Sequence, residues 1–144
     1  MPAARRDEDH CALSAQGTSS RARREAAART VARSASAQVV PWGSAEGLDV
    51  DAVINSTPVG MAPHVDALPI DLARLRVRVV FDMVYYPQET RLLADARGRG
   101  LTTISGLEML VAQGGRQFEI WTGQSAPRAL MEQAVRQAFS LSAG

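Results

Sequence analysis

An α/β fold is predicted for this 144-residue sequence: a parallel, doubly wound sheet with helices on its faces. Short β-branched runs alternate with segments of helical period, the order produced by strand–helix–strand crossovers. The helical segments carry start and stop residues at the offsets that helix termini require. Polar or glycine residues follow directly on three of the apolar runs, and in open parallel sheets ligands are met beyond the carboxyl ends of the strands.

The elements follow in order. Residues 1–20 (MPAARRDEDHCALSAQGTSS) show neither strand nor helix period and are expected to be disordered or unrelated to the rest; residues 21–144 are expected to form the domain. RARREAAARTVARS (21–34) has the composition of an exposed helix. Its arginines suit a solvated face, phosphate contact being the other reading. AQVVPW (37–42) reads as a short strand stopped by Pro41, and LDVDAVINST (48–57) as a second strand whose Ala52, Val53 and Ile54 are expected to be buried on both faces. ARLRVRVVFDMVYY (73–86) carries a third strand through Val77, Val79, Val80 and Phe81 to Asp82.

ETRLLADARGRG (89–100) predicts a helix capped by Thr90, with Leu92, Leu93 and Ala96 on its apolar face and Gly98 or Gly100 at its end. LTTIS (101–105) is a fourth short strand. Ser105 and Glu108 then have capping-box spacing. Leu107, Leu110, Val111, Gly114, Phe118 and Trp121 follow at helical steps as one apolar face, stopped by Gly123. A last helix opens at Ser125, tolerates Pro127 in its first turn and turns Leu130, Met131, Ala134 and Val135 inward.

Composition narrows the function classes. Hydrophobic residues make up 46% of the chain, enough for a core. A net charge of +1 gives no general attraction to nucleic acid or membrane surfaces, and no apolar run is of membrane-spanning length. The single cysteine, Cys11, cannot form an internal disulfide, and the polar start has no apolar secretory stretch, so a cytoplasmic location is expected. Cys11, His10 and His64 make no metal-ligand cluster, and no nucleophile–base pair stands out. All 16 basic residues are arginine, so chemistry that needs a lysine is beyond this sequence.

The candidate site residues lie at the strand ends. Asn55 and Thr57 end the second strand, where they either make a turn or meet a ligand. Asp82 reads as structural, accepting hydrogen bonds near its strand end, and Met83 is chemically a core filler. Tyr85 combines an apolar ring with a hydroxyl and suits either a core or a pocket. Gly106 lets a group approach the backbone at a helix start. Gln113 lies almost two turns further on the same side; it carries both a donor and acceptors, and an ordinary exposed helix residue is one reading of it.

INSTPVGM, FDMVYYPQETRLLADARGRG and GLEMLVAQGGRQFEIWTG occur in that order within residues 37–139, and together they resemble the C-terminal half of shikimate dehydrogenase. That family reads roughly N-A/S-T-P-x-G-M, then D-x-x-Y-x-P-x-x-T-x-L-L, then G-x-x-M-L-V/L-x-Q-A/G. The resemblance implies a partial Rossmann-like domain with two C-terminal helices. The activity it implies is NADP-dependent reduction of 3-dehydroshikimate to shikimate, in the biosynthesis of chorismate and the aromatic amino acids. It places Met83 and Gly106 at the nicotinamide end of NADP, Asn55 and Thr57 beside the nicotinamide ribose, Tyr85 in the shikimate pocket and Gln113 on a shikimate hydroxyl. The implied partner is a small-molecule substrate, bound by a monomer or homodimer, with no nucleic acid, membrane or metal partner.

The sequence also departs from the family pattern. The family's N-terminal substrate domain, with its catalytic lysine and aspartate, has no counterpart, so no catalytic residue is assigned. The Gly-rich turn G-x-G-G-x-A/S is missing before residue 43, and N-R-S/T is represented only by Ser20, Arg21 and Arg24 in TSSRARREAAA. The resemblance starts abruptly near residue 20, as a wrong start site or a frameshift would produce. A fragment of this kind is expected to be inactive alone and marginally stable, with an exposed strand edge and apolar face. Other readings are a quinate/shikimate dehydrogenase using NAD, a non-catalytic nucleotide-binding remnant, and a generic α/β domain.

Overall fold

The run Val77–Phe81 has the β-branched density of a central strand, and Val79–Asp82 is the middle strand of a parallel three-stranded sheet. A computed structural model describes residues 28–30, 32, 33, 37, 39, 40 and 47–141. The chain divides into two compact units, Met1–Leu48 and Asp49–Gly144. In the first, residues 28–30, 32 and 33 are helical (α1), as the Ala/Arg composition predicts, with Ala32 buried. Residues 1–20 lie outside the described residues. Ala37, Val39 and Val40 are not in a strand, which corrects the expected strand at 37–42 at those positions; its other residues lie outside the described ones.

The second unit holds the sheet. Its elements are β1 (Ala52–Asn55), a 3-10 turn at Leu72–Arg74, β2 (Val79–Asp82), α2 (Arg91–Gly98), β3 (Thr102–Ile104), α3 (Gly106–Thr122) and α4 (Arg128–Leu141). The strand order is β1-β2-β3, and both pairs are parallel. The register sets Val53 against Val80, Asn55 against Asp82 and Val80 against Thr103. Paired residues share a face of the sheet, so Val53, Asn55, Val80, Asp82 and Thr103 form one side.

That side carries the core. Val80 packs with Leu72, Leu92, Leu93 and Ala96, and Leu68, Ile70, Leu75, Val77 and Leu101 border them. Leu92, Leu93 and Ala96 are the predicted apolar stripe of α2. Thr90 caps this helix, its hydroxyl accepting from Leu93 N–H. Gly100, at φ +74°, ends it: Gly100 N–H donates to Arg97 O and Leu101 N–H to Ala96 O, the paired bonds of a Schellman ending.

On the other side of the sheet Val79 and Phe81 are half-buried. Ile54 is 59% exposed and Ala52 is also exposed, so β1 is not buried on both faces as expected. The run Ala52–Ile54 has the composition of a buried strand, but β1 is an edge strand of this sheet with one covered face. The helical hairpin departs from expectation in the same direction. The face predicted for α3 buries Leu107 but leaves Trp121 78% exposed. Helix α4 begins at Arg128 rather than Ser125, and Leu130 and Ala134 are exposed rather than inward.

Candidate functional site

Three parallel strands that share a direction bring their carboxyl ends to one edge, so β1 delivers Asn55, β2 delivers Asp82 and Met83, and β3 delivers Ser105 and Gly106. The register continues past the strands, with Met83 N–H donating to Asn55 O at 3.0 Å.

The polar residues at this edge serve one another first. Asn55 Nδ2 donates to Asp82 Oδ1 at 2.9 Å and to Val59 O at 3.1 Å. Asn55 Oδ1 accepts from Thr57 N–H at 3.1 Å and from Thr57 Oγ1 at 2.7 Å. Thr57 Oγ1 in turn accepts from Val59 N–H at 3.2 Å. The Asn55 amide therefore has both protons and both lone pairs engaged inside the protein, and the residue is buried. Of the two readings left open by the sequence, the side-chain geometry at Asn55 and Thr57 is that of a turn which fixes the strand end.

Asp82, fully buried, is the hub. Besides Asn55 it accepts from Val84 N–H at 3.1 Å and from Thr90 Oγ1 at 2.6 Å. A buried carboxylate needs donors on each oxygen, and the structural role expected of Asp82 is the one found. The Thr90 cap is read from the sequence but its bond to Asp82 is not; a buried Asp on an apolar strand, which must find donors nearby, is the signal that could have found it.

Gly106 begins α3 under tight contact. A Cβ at this position would lie 2.5 Å from Val84 O and 2.7 Å from Met83 O. The close approach that requires glycine is thus made by the chain's own backbone at the end of β2. Beside it, Ser105 caps the helix: Glu108 N–H donates to Ser105 Oγ, while Glu108 Oε2 accepts from both Ser105 N–H and Oγ at 2.7 Å. These bonds, the Ser105 hydroxyl first and its N–H next, hold the Glu108 carboxyl below its ordinary pKa, with Arg97 and Arg136 adding to the effect against partial desolvation.

Met83 and Tyr85 alternate outward from the segment that follows Asp82, 39% and 47% exposed, while Val84 between them is buried. Gln113 is exposed on α3, two turns beyond Gly106. The edge thus has a rigid polar base, a helix start free of side-chain bulk, and an apolar and an aromatic side chain available to a ligand. For a dinucleotide's nicotinamide end the fit is favourable: Met83 offers an apolar surface beside main-chain atoms at a helix N-terminus. Among the described residues no group of His, Cys, Asp and Glu could hold a metal ion, and no helix is long and apolar enough to cross a membrane.

Residues 106–136 match the model of the shikimate 5'-dehydrogenase C-terminal domain. The NADP(+) shikimate dehydrogenase of Moorella thermoacetica is 45% identical over 95 residues, covering 65% of this chain and 32% of that protein. The chain therefore spans about a third of the length of the curated relatives it matches. Among solved structures, shikimate 5-dehydrogenase from Thermus thermophilus in complex with NADP(H) and shikimate is 32% identical, with a TM-score of 0.68 over 81% of this chain and 44% of that one. The ligand-free 5-ketofructose reductase of Gluconobacter sp. is 30% identical, with a TM-score of 0.72 over 90% and 48%. In sequence and in its Rossmann-like α/β fold, the chain resembles the C-terminal part of the shikimate dehydrogenases.

Proposed function

We propose that these residues form the nicotinamide- and substrate-facing part of an NADP-dependent shikimate dehydrogenase, an oxidoreductase that interconverts 3-dehydroshikimate and shikimate. The observation that carries this is the convergence of the Asn55, Met83 and Gly106 strand ends at one sheet edge, with Tyr85 exposed beside them. In this reading Met83 and Gly106 border the nicotinamide, while Asn55 and Thr57 shape its ribose side by fixing the β1 end. Tyr85 and Gln113 face the hydroxylated ring. The dinucleotide, when bound, supplies or accepts the hydride; the residues here bind, orient and exclude water. None of them is assigned the proton transfer. A cytoplasmic location and a monomeric or dimeric state belong to the same reading, with NAD as the alternative cofactor.

The test is an NMR titration of the 144-residue chain with NADP(+), NAD(+) and shikimate. NADP(+) is expected to move the Met83 methyl and Gly106 amide signals, and shikimate those of the Tyr85 ring and the Gln113 side-chain amide. Oxidation of shikimate by these residues alone is expected to be absent. Ligand-induced shifts confined to other residues would overturn the reading. The likeness to a 5-ketofructose reductase supports a second substrate, another polyhydroxylated ketone. A stronger response of Tyr85 and Gln113 to 5-ketofructose than to shikimate would favour it.

A further inference from the structure

The hairpin of α3 and α4 brings the last turns of α4 back to the segment that follows β2. Helix α3 has 17 residues and α4 has 14, about 25 and 21 Å at helical rise. The two pack together, so the end of α4 returns to the level at which α3 starts. There Phe139 meets the segment after β2. Its ring centroid is 5.7 Å from that of Tyr85 at an interplanar angle of 17°, an offset-stacked pair. Tyr86 tilts against the same ring at 6.0 Å. Three residues earlier on α4, Arg136 donates to Gln88 Oε1 at 3.0 Å while also pairing with Glu132.

We infer that α4 positions Tyr85: Phe139 and Arg136 hold residues 85–88 so that one face of the Tyr85 ring is covered and the remainder is presented at the strand-end edge. The segment needs such support. Asp82 fixes the backbone as far as Val84 through the Val84 N–H bond, but neither the sheet nor that network reaches the Tyr85 side chain, which is half exposed. An exposed ring explores several rotamers, and a stacking partner on one face selects among them. Phe139 is thus a positioning residue for the tyrosine assigned to substrate under the proposed function, and this inference rests on that assignment.

The experiment is a shikimate titration of the 144-residue chain carrying ring-labelled tyrosine, for the unaltered protein, Phe139→Leu and Phe139→Tyr. Phe139→Leu is expected to shift the ligand-free Tyr85 signal and to weaken shikimate binding about three- to tenfold, the range of an aromatic pair. Phe139→Tyr, which keeps a stackable ring, is expected to restore both. An unchanged ligand-free Tyr85 signal in Phe139→Leu, or unchanged affinity, overturns the inference. If shikimate moves no Tyr85 signal in the unaltered protein, the substrate assignment itself falls and the inference with it. The Leu92 and Leu93 methyl signals report whether each variant is folded. Should Phe139→Leu lose them, Gln88→Ala, which removes only the second tie, decides by the same two readouts.

Discussion

Asn55 and Asp82 face each other across the parallel β1–β2 pair and are joined side chain to side chain, Asn55 Nδ2 donating to Asp82 Oδ1 at 2.9 Å. The carboxylate also takes Val84 N–H and the Thr90 hydroxyl, so one buried side chain ties β1, the segment after β2 and the start of α2. Asp82→Ala strands three buried donors in the core. Each buried unsatisfied group costs about 1–3 kcal/mol, so a loss of about 3 kcal/mol or more is expected in urea unfolding. Asp82→Asn keeps the Oδ1 bonds and should cost clearly less; equal losses would mean that the network contributes little.

Gly106 and Gly114 both lie in α3, and they should respond oppositely to alanine. At Gly106 the new Cβ would be driven into the carbonyls of Met83 and Val84, backbone atoms that cannot rotate aside. Overpacking of this kind costs about 1–3 kcal/mol. At Gly114 nothing lies within 4 Å of the added Cβ. Alanine there should stabilise by about 0.5–1 kcal/mol through helix propensity. Denaturation midpoints of the two variants moving in the same direction would contradict the packing described at Gly106.

How far the sequence could be read follows from which interactions are local. Thr90, Ser105 with Glu108, and Gly123 mark helix ends through bonds within a few residues, and each sits where the spacing puts it. The order of strands and helices from residue 48 onward was legible for the same reason. The burial of Ile54 was not, because an apolar run has the same composition whether one face or two are covered. Nor was the exposure of Leu130 and Trp121, which depends on what lies across from them. At the site, the strand-end positions of Asn55, Met83 and Gly106 were legible from motif order. Phe139 was not, since its contact spans 54 residues (139 − 85) and leaves no periodic trace.

Acid should weaken the start of α3. Glu108 accepts two bonds from Ser105 on Oε2, bonds that are stronger to the carboxylate than to the neutral acid, and its pKa lies below the ordinary 4.5 for that reason. A carboxyl whose folded pKa is depressed contributes stability that is complete above its unfolded pKa and is lost as pH falls through the folded value. The window therefore opens near pH 4.5 and extends below it. Glu108→Gln preserves an acceptor for the Ser105 N–H but cannot titrate. Its unfolding free energy is expected to fall less steeply than that of the unaltered protein across this window, and identical slopes would remove Glu108 from the account.

The outer end of the α3–α4 hairpin calls for the opposite kind of substitution. Ile120, Trp121 and Leu130 are 64%, 78% and 64% exposed. Their side chains already lie largely in water, so the folded state gains little from their apolar character, and surface substitutions of this sort change stability by about 0.5 kcal/mol or less. Close by, Arg128 lies over Gly115 and donates to Glu119 at 3.1 Å, a clip between the helices that does not involve these three residues. The triple variant Ile120→Gln, Trp121→Gln, Leu130→Gln is therefore expected to unfold at nearly the same urea concentration as the unaltered chain. Exposed apolar groups promote association, so the same variant should sediment as a smaller species at high concentration if the parent self-associates there. A large loss of stability would show that these side chains are packed in solution.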